Sequence, residues 1–139
     1  MRPADHMQPS SKLAPDMRPN PSMTLALAWC VPGAGHFMVG QARKAVIFFV
    51  VLAGMFVLGL RFGGQLLPFD VSDPLVFLGA GTQWAMAVPR VLAAMAGAGA
   101  GNVTAITYEY GNTFLIVAGL LNVLVALDAF DKARGVKTP

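Results

Sequence analysis

Apolar residues fall along this chain in long runs broken by short polar, glycine- or proline-bearing stretches. The first run covers about residues 21–39. Nineteen residues rise about 28 Å as a helix, close to the ~30 Å of a bilayer hydrocarbon core. The second, residues 45–60, has no strongly polar side chain, and Lys44 and Arg61 bracket it. It is a little short, at about 24 Å, but both cations can snorkel to the interfaces. The third run covers residues 75–95, with Asp73-Pro74 before it as an N-cap followed by proline at the first helical position. Pro89-Arg90 interrupts it, so that helix either kinks there or ends near Val88. The fourth covers residues 113–130 and leaves into water at Asp128, Asp131, Lys132, Arg134 and Lys137. The pattern predicts an all-α protein, a small polytopic membrane helical bundle of four transmembrane helices. Three spans plus a re-entrant first segment are the alternative.

The runs are organised around Trp29-Cys30-Val31-Pro32-Gly33-Ala34-Gly35-His36-Phe37-Met38-Val39-Gly40. Pro32 bends or ends the first helix. Gly33, Gly35 and Gly40 let backbones approach closely, a packing role preferred over a substrate path. The basic turn at Arg43-Lys44 then sends the chain back antiparallel.

Composition sharpens this picture. Hydrophobic residues make up 55% of the 139 residues and charged residues only 12%, about half the usual charged share. The net charge of +3 is spread over both ends and forms no basic stripe, so no nucleic-acid partner is expected. The lone cysteine, Cys30, excludes an internal disulfide and a multi-cysteine metal site. Residues 1–20 read as a polar, proline-rich tail and residues 131–139 as a polar C-terminal tail. No cleavable signal is visible, and Trp29 is too bulky for a lipoprotein processing site before Cys30.

Four spans put both termini on one side. With the termini cytoplasmic, Arg2, Lys12, Arg18, Arg61, Lys132, Arg134 and Lys137 lie inside against Arg43 and Lys44 outside, which favours that orientation.

The stretch Pro32-Gly33-Ala34-Gly35-His36-Phe37 with Gly40 resembles the opening of bacterial proteins of the two-transmembrane-domain type, P-G-x-G-H-x-[FY]-x-x-G. Met38 stands where that pattern often has tyrosine. The stretch from Tyr108-Glu109-Tyr110-Gly111-Asn112 through Ala118-Gly119-Leu120-Leu121-Asn122 to Asp128-Ala129 resembles the end of a longer uncharacterised bacterial family that shares this opening. The resemblance implies a multi-pass protein of the bacterial cytoplasmic (inner) membrane, and no reaction, cofactor or substrate.

The polar residues inside the runs are the candidate sites. His36 is expected to bond a backbone carbonyl freed by Pro32. A pigment or haem ligand is its sharper alternative, since imidazole suits such metals. Asn122, mid-way along the fourth run, is expected to bridge helices, with Gln83 and Thr82 as partners and Ala118 and Ala126 on the same small-residue face. Arg90 is costly inside hydrocarbon and is expected to pair with Glu109, the alternatives being a lipid phosphate or a partner subunit. Asp70 and Asp73 read as turn and cap residues. No nucleophile elbow, zinc-binding helix motif or phosphate-cradling loop is present.

The expectation is a non-catalytic membrane protein that contacts lipid and other membrane subunits as a structural or accessory part of a larger complex, photosynthetic and respiratory assemblies being conceivable hosts. No cofactor is expected beyond bound lipid. The alternative is a small oligomeric transporter or channel built on the broken first helix.

Overall fold

The computed structural model describes residues 18–136, so most of the expected N-terminal tail and the last three residues of the C-terminal tail lie outside the described residues. The described chain is all-helical. Its helices are α1 (Pro21–Cys30), α2 (Ala34–Met38), α3 (Ala42–Arg61), α4 (Pro74–Trp84), α5 (Ala87–Met95) and α6 (Tyr108–Ala133). Of the four expected segments, the second and fourth are unbroken helices, α3 and α6, each long and apolar enough to cross a membrane. The first and third are both broken into half-length hairpins.

Local chemistry sets the breaks. Asn20 caps α1 by accepting the Ser22 N–H at 3.0 Å, and Pro21 takes the first turn, where its missing N–H costs nothing. Pro32 then forces Val31 into extended backbone, so α1 stops at Cys30 after ten residues. Ten residues reach about 15 Å, half the hydrocarbon thickness. Gly33 at φ +82° turns the chain, and α2 runs back so that Gly35 lies against Ala28, Thr24 and Ala129.

Asp73 caps α4 by accepting the Leu75 and Val76 N–H groups, and α4 is followed by α5 across a 100° bend. The bend falls at Ala85–Met86, four residues ahead of Pro89, which sits in the first turn of α5. That is the offset at which a proline ring opposes a preceding carbonyl and withholds its N–H.

Both hairpins return to the end of the bundle from which they start. Arg18 lies against Gly135, and Gln41 reaches Lys132, so the α1–α2 hairpin begins and ends beside the C-terminal end of α6. The segment after α5 joins the loop after α3 at the opposite end: Leu66 N–H donates to Gly99 O, Asn102 N–H to Gly63 O, and Thr107 Oγ1 to Phe62 O. An isolated antiparallel bridge pairs Gln65 with Ala100 there. The chain therefore reads hairpin, span, hairpin, span, with its two hairpins entering from opposite ends. The order is that of an inverted repeat, although the two halves share little sequence beyond an Asn/Asp-Pro start, a tryptophan and a later proline.

α3 and α6 lie antiparallel and form the most extensive interface. Leu52, Phe56, Met86, Ala93, Leu115 and Ala118 make the core cluster. Gly59 and Gly64 at one end press on Gly111. Of the glycines expected to pack, Gly33 and Gly35 do so, whereas Gly40 faces open space and serves as a turn at φ +79°. A side chain at Gly33 meets the Ala45 carbonyl in addition to its left-handed backbone. Gly33→Ala should accordingly lower the melting temperature in detergent far more than Gly40→Ala, where only the backbone penalty of about 1–2 kcal/mol applies.

Candidate functional site

Three polar clusters are built into this apolar frame. The first lies where the two hairpin tips meet. Pro32 has no N–H to give Ala28 O, and Pro89 has none to give Ala85 O. Asn122, buried on α6, donates its Nδ2 to both of those carbonyls, at 3.0 Å and 2.6 Å, with Trp29 O at 3.4 Å. One amide thus takes up the two acceptors that the prolines free. Trp29 Nε1 donates to Trp84 O at 3.1 Å and ties the tips directly. Gln83 and Thr82, the expected partners of Asn122, are committed elsewhere; Thr82 Oγ1 donates to Gly79 O. Asn122 Oδ1 is buried with no hydrogen-bond partner among the described residues. The C-terminal ends of α1 and α4 both point at this spot, so the negative ends of two helix dipoles meet an amide donor.

The second cluster sits at the C-terminal end of α6. His36 does not bond a freed carbonyl: its Nε2 lies 2.9 Å from Asp128 Oδ2, and the Nε2–H tautomer donates to it. Asp128 also accepts from Lys132 one turn on, and Lys132 Nζ reaches Gln41 Oε1 at 3.2 Å. The ring is fully buried, with its edge on Phe48 at 4.9 Å between centroids. Asp128 thus engages Nε2, while His36 Nδ1 is buried and has no hydrogen-bond partner among the described residues. Read from sequence, Asp128 belongs to an exposed helix end; folding α2 back against α6 makes it the partner of His36.

The third cluster surrounds Arg90. Its Nη1 donates to Gln83 Oε1 and its Nη2 to Leu67 O, both at 2.6 Å, and its guanidinium lies 5.1 Å from the Trp84 ring. The expected pair with Glu109 does not form. The hairpin brings α5 back beside α4 and the loop after α3, while Glu109 stands exposed at the start of α6. Gln83 binds both edges of that loop, accepting Leu67 N–H and donating to Gln65 O, and Asn112 Oδ1 accepts Gln65 N–H. Tyr108 Oη donates to Gln65 Oε1. A cavity of about 460 Å³ opens beside Arg90.

Outside the helices, Ser72 gives Asp70 both its N–H and its hydroxyl, which holds the Asp70 carboxyl below the usual carboxylate range. Among the described residues no group of three histidine, cysteine or acidic side chains is close enough to hold a metal ion.

The sequence profile of a family of unknown function, DUF6677, matches residues 23–138. The chain belongs to DUF6677. The match starts at the third residue of α1 and runs beyond α6, so all three polar clusters of this DUF6677 chain and both hairpins, apart from Pro21 and Ser22, lie inside the family region. No curated protein and no solved structure matches the chain.

Gln65, Asp128 and Lys132 are the site residues that sequence reasoning missed, and Gln83, expected beside Asn122, serves Arg90 and the 65–67 segment instead. Asp128 and Lys132 do carry a signal, since their four-residue spacing puts them on one helix face. The proline offset points to Ala28 and Ala85 in the same way. Nothing local points from either signal to its distant partner.

Proposed function

We propose that this protein is a non-catalytic integral membrane protein, a structural or accessory subunit of a larger assembly in the bacterial cytoplasmic membrane. One observation carries this reading: the buried polar side chains at the hairpin tips are engaged in holding the chain's own backbone. Asn122 binds Ala28 O and Ala85 O, and Gln83 binds Leu67 N–H and Gln65 O. A reaction needs such groups turned towards a substrate. The α5 surface fits a docked neighbour or lipid, with Leu92 and Met95 exposed on it.

The charge distribution supports both termini being cytoplasmic. Arg18, Arg43, Lys44, Lys132 and Arg134 gather at the end where α1 begins and α6 finishes, against Arg61 and Arg90 in the other half. Because the first segment turns back, Arg43 and Lys44 join the majority instead of opposing it.

A second reading, a small oligomeric transporter or channel, is favoured by one specific feature: two half-length hairpins entering from opposite ends with their tips touching mid-bundle, an arrangement of discontinuous helices used at transport sites. Purification in a gentle detergent followed by mass spectrometry separates the two. The subunit reading expects a defined set of co-purifying membrane proteins. Recovery solely as a free monomer or a homo-oligomer would contradict it.

A further inference from the structure

We propose that the cavity beside Arg90 holds the phosphate of an anionic phospholipid, with the lipid's acyl chains passing out along α5. The proposal requires membrane placement and is independent of the accessory-subunit reading.

The first argument is charge. Arg90 is over nine-tenths buried, and both oxygens it binds, Gln83 Oε1 and Leu67 O, are neutral. A guanidinium has five N–H groups. With one donated from each Nη, three remain, including that of Nε, and none of them meets an acceptor among the described residues. No carboxylate faces the group among the described residues. The Trp84 ring offers its π face but no negative charge. A buried cation without a counter-charge is costly, and protein sites that contain one supply an anion. The planar fork matches two phosphate oxygens.

The second argument is the shape and lining of the space. About 460 Å³ is within the range of small-molecule sites. Besides Arg90 the walls include Leu66, Pro68, Trp84, Val91 and Ala94. One cation set in such a wall suits an amphiphile, an oxyanion joined to an apolar body, better than a strongly hydrated free anion.

The third argument is depth. Arg90 bonds Gln83 and Leu67, and α4 brings those residues against Gly119 and Ile116 of α6. Gly119 and Ile116 precede Asn122 by three and six residues, about 5–9 Å along α6. With the hairpin tips near the midplane, the guanidinium lies within the hydrocarbon depth, where a cation without a counter-charge is most costly and an anion drawn in from the headgroup layer stabilises it most. Leu92 and Met95 beside the opening are exposed and give the acyl chains an apolar track.

The test is native mass spectrometry of the full chain from mixed micelles holding equal amounts of phosphatidylglycerol and phosphatidylcholine with the same acyl chains. The expected result is one retained phosphatidylglycerol, preferred by about tenfold or more over phosphatidylcholine. Arg90→Lys keeps the charge but not the fork, and should reduce that preference. Ala94→Phe fills the cavity from an exposed position without touching the Arg90 bonds. It should abolish the preference at an unchanged melting temperature. Equal retention of the two lipids by the wild-type chain overturns the proposal, as does an undiminished preference in Ala94→Phe. Displacement of the bound lipid by millimolar inorganic phosphate overturns the lipid assignment in favour of a soluble anion.

Discussion

Asn122→Leu lowers the stability of the folded protein by about 2–4 kcal/mol. Leucine is close to asparagine in size and far more soluble in lipid. A residue that only filled space on α6 would therefore gain from the change. The expected loss comes from Ala28 O and Ala85 O, two buried carbonyls left without a donor because Pro32 and Pro89 carry no N–H. Each unsatisfied group costs about 1–3 kcal/mol, and interhelical side-chain bonds in membranes contribute about 0.6–2 kcal/mol. Reversible unfolding in mixed micelles, followed by circular dichroism, gives the sign directly. A leucine variant as stable as the parent, or more so, would remove Asn122 from its place at the hairpin tips.

The second large effect is expected at Gly119, where α4 crosses α6. A Cβ there falls on the backbone of Thr82, so no side-chain rotation relieves it and α4 has to move away. Gly119→Ala should cost about 3 kcal/mol, the upper end of overpacking penalties. Gly54→Ala and Gly81→Ala are the matched controls, since both glycines are mid-helix and neither meets an atom within 4 Å. They should be neutral or gain up to about 1 kcal/mol from helix propensity. Equal losses at all three positions would mean that α4 does not cross α6 at Thr82.

Much of this architecture is legible in the residues. The apolar runs locate α3 and α6 to within a few positions, because a helix in lipid needs a continuous run of that length. Asp73-Pro74 marks the start of α4 correctly, since capping and a first-turn proline are local effects. Pro32 and Pro89 mark both breaks. What a run of apolar residues does not encode is direction after a break: residues 21–39 are long enough to cross as one helix, and only the return of Gly35 onto Ala28 and Ala129 makes them a hairpin. The partners of Arg90 and His36 fail to emerge for a related reason. Glu109 is the nearest acid if the third segment runs straight, and Asp128 is far from His36 if the first does. Folding each segment back exchanges those partners for Gln83 and Leu67 in one case and for Asp128 in the other. Long-range pairing is set by tertiary packing, and the sequence signals beside each residue are blind to it.

The central claim is that the two broken segments are hairpins, each returning to its own side, with tips joined through Asn122. Cysteine accessibility tests it most directly. With Cys30 replaced by alanine, single cysteines are introduced at the exposed positions Arg18, Arg43, Ser72 and Thr104 and labelled with a membrane-impermeant maleimide in oriented vesicles. Arg18→Cys and Arg43→Cys should label from one face, and Ser72→Cys and Thr104→Cys from the other. Labelling of Arg18→Cys and Arg43→Cys from opposite faces would make residues 21–39 a true span. Labelling of Ser72→Cys and Thr104→Cys from opposite faces would do the same for the α4–α5 segment, and either result would contradict the account.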